Sequence, residues 1–466
     1  MVEFRDPRRA FEKLSTKRVP GQLIITGLDR NEEETLKDSI VNLQIGGIMV
    51  ENILFENHIE MRKFLEECWS LSLKVRPRIP LLIMGGDPFS DRIPLPPPFV
   101  PYPPLLGLLA TGSLRVTYET ATQIALEARS LGISALLSPR IEYYDINDPE
   151  GLNSVCGPFE EAARYLAALV RGLKNSGVSS LVYPYPPRKR DWRREVDEYV
   201  IKGDVDGVVW RKLDETGKGV VDGINIIRYD EEMEAGPFLE KSLEKGIDIV
   251  IFPDMDDALE ASSYMEERVE KSRKARKMSS KACMNVLQYK SKRLNRFRRP
   301  SLNSYGGMRH TRTRLKTCER AVTEIGEKPK IHHDTIFYIV YRNGKIKKET
   351  VEMIRDVLTM RGYKNAVVPI ERRKDLEECI SKMRKVMDYM IVLTVNAYED
   401  KNEATLLRKG ENVIHFALGN PRDITLSKGY RIVTYIDAPS SVKIACEIMI
   451  GVKKAEGRLP VNFSVS

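Results

Sequence analysis

Histidine is scarce in this 466-residue sequence: there are five, and only His58 precedes residue 300. A histidine-built metal centre in the first two thirds of the chain is therefore not expected. The six cysteines, Cys68, Cys156, Cys283, Cys318, Cys379 and Cys446, are widely spaced and form no CxxC pair. Neither a zinc site nor a disulfide framework follows from them, and they read as buried, inert thiols. No apolar run reaches the roughly 20 residues that span a bilayer, and the opening MVEFRDPRRAFEKL lacks the apolar core of a signal peptide. The expectation is a cytoplasmic protein without a membrane segment. GxGxxG is missing as well, which removes the usual dinucleotide turn, so neither cofactor nor metal is expected. Acid is missing from one stretch only: residues 271–318 hold sixteen Lys and Arg and no Asp or Glu. Since the whole chain carries +9, everything else sums to 9 − 16 = −7, and the basicity is local.

Short apolar runs rich in β-branched residues recur along the first 255 positions: Gln22–Leu28, Gly47–Val50, Pro80–Met84, Ala135–Ser138, Ser180–Tyr183, Gly207–Trp210, Ile224–Tyr229 and Ile247–Phe252. Unbroken runs of this length mark strands buried on both faces. Segments of helical period separate most of them, among them Glu32–Leu43, His58–Leu71, Tyr118–Leu131, Phe159–Leu173, Met233–Leu243 and Asp256–Val269. Eight strands within about 250 residues, most followed by a helix, is the count of a (β/α)8 TIM barrel. An open doubly wound sheet is the competing fold.

The pattern stays helical but turns basic from Met265 to Arg299, and Pro300–Gly307 supplies turn residues. A second βα series follows, with strands at Thr335–Tyr341, Ala366–Ile370, Met390–Val395, Val413–Leu418 and Arg431–Ile436. The expected organisation is a TIM barrel over residues 1–270, a basic helical linker over 271–330, and a smaller α/β sandwich domain with a mainly parallel sheet over 331–466. The basic stretch interleaves Tyr289, Phe297 and Tyr305 with its cations, as RNA-binding segments do. Nucleic acid or another polyanion is one possible partner for it; a solvated helix is the other reading.

The tail from Val413 to Phe463 carries an LGNPRD turn, a TY strand, a helix and a closing GRLPV. Gly419, Asn420, Pro421 and Asp423, then Thr434 and Tyr435, then Gly457–Val461 resemble the end of glycoside hydrolase family 3 proteins in this order. PLLIMGGDPFSDRI is similar to the family's third-strand segment, keeping Asp87 and Arg92, while Asp145 and Asn147 in YYDINDP resemble its segment after the fourth strand. Val286–Leu294 resembles the helix that closes the family's barrel. The resemblance implies the same two-domain fold, a carbohydrate ligand, and hydrolysis of a β-linked hexosaminide or glucoside by a retaining mechanism without a cofactor.

Such a mechanism needs a carboxylate nucleophile and a proton donor about 5 Å apart, at the carboxyl ends of the barrel strands. Asp230 as nucleophile and Asp191 as proton donor are the candidates, with Asp87, Arg92, Arg140 and Asp145 holding sugar. Glu142 shares that end of the barrel. The resemblance leaves the nucleophile position open: counting back from Met233 puts Tyr229 there, and counting forward from Asp222 puts Arg228 there. Each acid also fits a loop residue or a helix cap, Asp230 before EEME in particular. Departures from the family cluster here. The fifth strand reads Leu181–Pro187 where the family has a Lys and two His, no histidine accompanies Asp191, and Asn153–Gly157 lacks the family's Arg. A catalytically silent relative that keeps a carbohydrate-binding scaffold is thus the alternative.

Overall fold

The computed structural model of the protein describes all residues except 1–3, 5, 28–29, 51–54, 90–94, 142–158, 185–204, 214–222, 296, 372–388, 410–411 and 462–466. It forms two compact units. The first comprises residues 1–101, 118–142 and 163–310, the second residues 102–117, 143–162 and 311–466.

The first unit is built on β1 (Ile24–Gly27), β2 (Gly47–Val50), β3 (Leu82–Gly85), β4 (Ala135–Leu136), the two-residue β5 (Arg140–Ile141), β6 (Ser179–Pro184), β7 (Gly207–Trp210), β8 (Ile224–Arg228) and β9 (Ile249–Phe252). β1, β2, β3, β4, β6, β7, β8 and β9 pair in parallel in that order, and β9 returns to β1 with Ile25 opposite Ile251. The ring is closed: an eight-stranded TIM-type barrel, not an open sheet. Strands start within two residues of the positions expected from the apolar runs, because a fully buried parallel strand has no polar face to interrupt its run.

Closure fixes which residues point to the axis. Following the register from Ile25 through Gly47, Leu82, Ala135, Leu181, Gly207, Ile224 and Ile249 selects one face all the way round. Two glycines on this inner face have a steric reason. A Cβ on Gly47 would stand 2.3 Å from the carbonyl oxygen of Leu82, and one on Gly207 would stand 2.6 Å from the Ile224 side chain. The interior is a packed core with no room to spare there.

The amino-terminal mouth is shut by the helix Arg273–Leu294, the first part of the basic stretch. Three of its side chains reach residues just ahead of strands. Lys290 donates to Gln22 Oε1 at 2.8 Å, Asn285 donates to Asp248 Oδ1 at 2.8 Å, and Arg293 pairs with Asp206. Ala275, Ala282, Cys283, Val286, Leu287 and Leu294 are buried on the same side. This helix is half core. The aromatics of the stretch are core as well: Tyr289 and Tyr305 are buried, and Phe297 packs on Trp69 with ring centres 5.6 Å apart.

The second unit carries β10 (Thr323–Ile325), β11 (Ile336–Arg342), β12 (Lys364–Ile370), β13 (Tyr389–Thr394), β14 (Val413–Ala417) and β15 (Tyr430–Val433) in the spatial order β10-β15-β14-β13-β11-β12. All pairs are parallel except β10 with β15. The sheet is thus mainly parallel, with one strand more than the apolar runs foretell. Helices Lys348–Met360 and Pro439–Met449 contribute to one apolar cluster, and helix Lys401–Lys409 to a second. The LGNPRD turn works inside this unit: Asp423, fully buried, accepts from Thr394 Oγ1 at 2.9 Å and from the Tyr398 amide at 3.3 Å. Tyr435 is buried in the left-handed region at φ 61°, a costly conformation for a bulky residue, with its hydroxyl 3.2 Å from Thr323 Oγ1.

Burial pushes Lys290 down from its ordinary value to about 7. A lysine depressed in the folded state costs stability wherever the unfolded chain is protonated and the folded one is not, so stability should rise with pH between about 7 and 10. In denaturant titrations across that range, the slope of unfolding free energy against pH should drop by about one bound proton in Lys290→Met. An unchanged slope would show that Lys290 keeps its proton.

Candidate functional site at the barrel mouth

In a parallel barrel every strand ends at the same rim, and loops after the strands build the site there. Two residues beyond β3 stands Asp87, and just after β4 come Ser138 and Arg140. Asp87 accepts a hydrogen bond from the Phe89 amide at 3.1 Å. Burial pushes its carboxyl up to about 6, against the opposing pull of that amide, of Ser138 and of the Arg140 charge. A carboxyl held at such a value near the end of a strand is unfavourable for folding and suited to a ligand. Ser138 was not singled out from the sequence. Its proximity to Asp87 comes from the pairing of β3 with β4, which residue order alone does not reveal.

At the end of β8 the three residues that compete for the nucleophile position separate cleanly. Tyr229 turns away from the axis: its ring lies 5.3 Å from Phe238 on the following helix Ala235–Glu244 and 5.1 Å from Phe252, and its hydroxyl donates to the Met233 carbonyl. Strand side chains alternate, so the preceding residue, Arg228, shares the inner face with Ile224 and Ile226. The register agrees, since Arg228 lies opposite Ile251, which shares its face with Ile249. Arg228 is thus the last inward residue of β8 and only partly buried. Asp230 follows in a turn, where its Oδ1 accepts the Glu232 amide at 3.2 Å and its carbonyl accepts the Met233 amide at 3.1 Å. The segment EEME is this turn, and the helix begins only at Ala235, so Asp230 caps the turn and not the helix.

Asp87, Arg140 and Asp230 therefore all belong to the carboxyl-end rim. Arg92, Asp145, Asp191 and Glu142 lie outside the described residues. Among the described residues, Asp254 is a further acid at the rim, but it caps the helix Met255–Lys271 by accepting the Asp257 amide at 2.9 Å. No group of three or more His, Cys, Asp or Glu among the described residues is arranged to hold a metal ion, and no described helix is long and apolar enough to cross a membrane. The described cysteines Cys68, Cys283, Cys318 and Cys446 are buried, and burial pushes Cys68 and Cys283 up to about 12, where a thiol is unreactive.

The second unit holds a mostly apolar pocket at the carboxyl ends of β11, β12 and β13, bordered by Arg342 and Glu403. Lys345 sits 3.7 Å from Glu403 and 3.9 Å from Asp400, and Arg342 pairs with Asp400. These charges lie within ion-pair distance of one another, although Glu403 Oε2 is buried without a hydrogen bond, and the barrel rim, to which Asp87, Arg140 and Asp230 belong, is the better candidate.

No protein-family model matches the sequence, and no characterised protein matches it by sequence. Solved structures do match it in fold. A glycoside hydrolase family 3 β-N-acetylglucosaminidase from Paenibacillus sp. str. FPU-7 superposes with a TM-score of 0.78 at 19% identity, covering 97% of this chain and 100% of its own. A β-glucoside phosphorylase gives a TM-score of 0.78 at 15% identity over 98% of this chain and 96% of its own. A β-glucosidase from Listeria innocua gives 0.74 at 12% identity, covering 100% of this chain and 77% of its own. At these identities the likeness is one of fold, and over nearly its whole length this chain is folded like the glycoside hydrolase family 3 structures.

Proposed function

We propose that the protein is a carbohydrate-binding relative of glycoside hydrolase family 3 that keeps the barrel site and has given up double displacement. One observation carries this reading: the last axis-facing residue of β8 is the cation Arg228, where a retaining enzyme of this fold needs an attacking carboxylate. A guanidinium neither attacks an anomeric carbon nor gives up its proton near neutral pH. The missing Lys and His of the fifth-strand segment support the same conclusion. Asp87 remains as the acceptor for sugar hydroxyls, with Arg140 beside it; Arg92 and Asp145 fill the same role by resemblance.

A second reading keeps catalysis, with Asp230 as nucleophile and Asp191 as acid. Its support is that Asp230 stands only two residues beyond β8 and commits one carboxylate oxygen to its turn. Aryl glycosides with good leaving groups separate the two readings, because they need little protonation. Purified protein should leave p-nitrophenyl β-N-acetylglucosaminide and β-glucoside uncleaved, while calorimetry detects binding of the parent sugars or their short oligomers. Turnover that disappears in Asp230→Asn would overturn the proposal in favour of the second reading.

Asp87 supplies an independent check. Its carboxyl stands at about 6 in the folded chain against an ordinary 3.8, so the folded state holds the proton more tightly than the unfolded one. Stability therefore falls as pH rises from about 4 to 6 and stays lowered above that. Asp87→Asn should melt higher than the parent at pH 8, by on the order of 2 to 3 kcal/mol, and equal it near pH 4. The same substitution should weaken sugar binding by about 10- to 150-fold, since a charged acceptor is worth roughly 1.5 to 3 kcal/mol. A variant that is destabilised at pH 8 and binds unchanged would reduce Asp87 to a turn residue.

A further inference from the structure

The helix that shuts the amino-terminal mouth has a second face. Its solvent-exposed residues are Arg273, Lys274, Arg276, Lys277, Lys281, Gln288 and Lys292: six cations and one amide, with neither an acid nor an apolar side chain among them. At 100° per residue, and taking Lys277 as zero, Arg273 lies at −40°, Gln288 at 20°, Lys281 at 40°, and Lys274 and Lys292 at 60°. Five of the six cations thus occupy one stripe about 100° wide. From Lys277 to Lys292 it runs about 22 Å along the helix. Lys274 is paired with Glu244, and Arg276 donates to the carbonyls of Val269 and Glu270. Arg273, Lys277, Lys281 and Lys292 have no carboxylate within ion-pair distance among the described residues.

We propose that this stripe is a docking surface for the phosphate backbone of nucleic acid. Unpaired, exposed cations at fixed spacing on a rigid helix are what a line of phosphates requires, and the helix is held rigid by its buried face and by Lys290, Asn285 and Arg293. The charge is not a by-product of overall composition, because the remainder of the chain is acidic. A membrane surface fits less well, because an interfacial helix inserts apolar side chains and none of the fully exposed residues of this helix is apolar. The neighbouring aromatics narrow the mode of binding. Tyr289 and Tyr305 are buried and Phe297 is packed on Trp69, so they offer no stacking platform for bases. Binding is electrostatic and indifferent to sequence.

Fluorescence anisotropy with a labelled 20-nucleotide single-stranded RNA and a DNA duplex of equal length tests this. Both should bind at 50 mM salt with little sequence preference, and four released counterions give a log–log salt slope of about −3 for the single strand. The triple variant Lys277→Gln, Lys281→Gln, Lys292→Gln changes exposed positions only; it should melt like the parent while its slope falls to about −1. Absence of binding to either probe, a slope unchanged in the triple variant, or equal binding to polyglutamate or to phosphatidylserine vesicles would overturn the proposal. A variant that melts lower than the parent is replaced by Lys277→Gln with Lys281→Gln, for which the expected slope is about −1.5. Sugar binding at the opposite end of the barrel should be unaffected in both variants, which keeps this outcome separate from that of the carbohydrate reading.

Discussion

Pairing of the first barrel strand with the last is the constraint on which the rest depends. An open sheet could slip by one residue and exchange its faces, whereas a ring closed between Ile25 and Ile251 has a single parity that every strand must share. That parity places Gly47 and Gly207 where a methyl group would collide, and it places Arg228 at the mouth facing the axis with Tyr229 facing the helices. The chemical character of the site follows from closure as much as from residue type.

The barrel strands, and β13 and β14 of the second unit, were legible because buried parallel strands are continuous apolar runs, while β12 was read from its short apolar segment although it is mostly exposed. What escaped had no such run. β10, Thr-Glu-Ile, is a three-residue antiparallel partner for β15, and β5 is the dipeptide Arg140–Ile141 beside β6. EEME reads as the start of a helix by propensity, yet Asp230 takes the Glu232 amide and the backbone turns before Ala235. For the site, Asp87 was visible as an acid after a strand, but neither its neighbour Ser138 nor its raised carboxyl was, since both come from tertiary pairing and burial. Counting along the chain left Arg228, Tyr229 and Asp230 in competition; strand alternation in the closed ring separates Arg228 from Tyr229, and Asp230 lies beyond the strand in a turn.

The two ends of the barrel treat charge in opposite ways. At the amino-terminal end Asp206, Asp248, Lys290 and Arg293 are sunk among strand ends and the closing helix, each with a partner. Burial of this kind is costly and is held in place by geometry, not by net gain. At the carboxyl end Asp87 carries a raised carboxyl while Arg228 remains partly open to solvent. Buried ion pairs at the bottom and partly solvent-accessible charged groups at the top are the arrangement expected when one rim holds the fold and the other meets ligands.

The closing helix also sets a clock on synthesis. β1 is complete at residue 27, but its second partner, β9, ends at residue 252, and the side chains that seal the mouth reach to residue 293. At about 5 to 20 residues per second, translation takes roughly 11 to 45 s to supply β9 after β1 has emerged. Through that interval the nascent chain carries an apolar strand with one edge unpaired, the kind of surface that recruits other chains. Slow stretches of translation before residue 252 lengthen the interval in which that edge is unpaired.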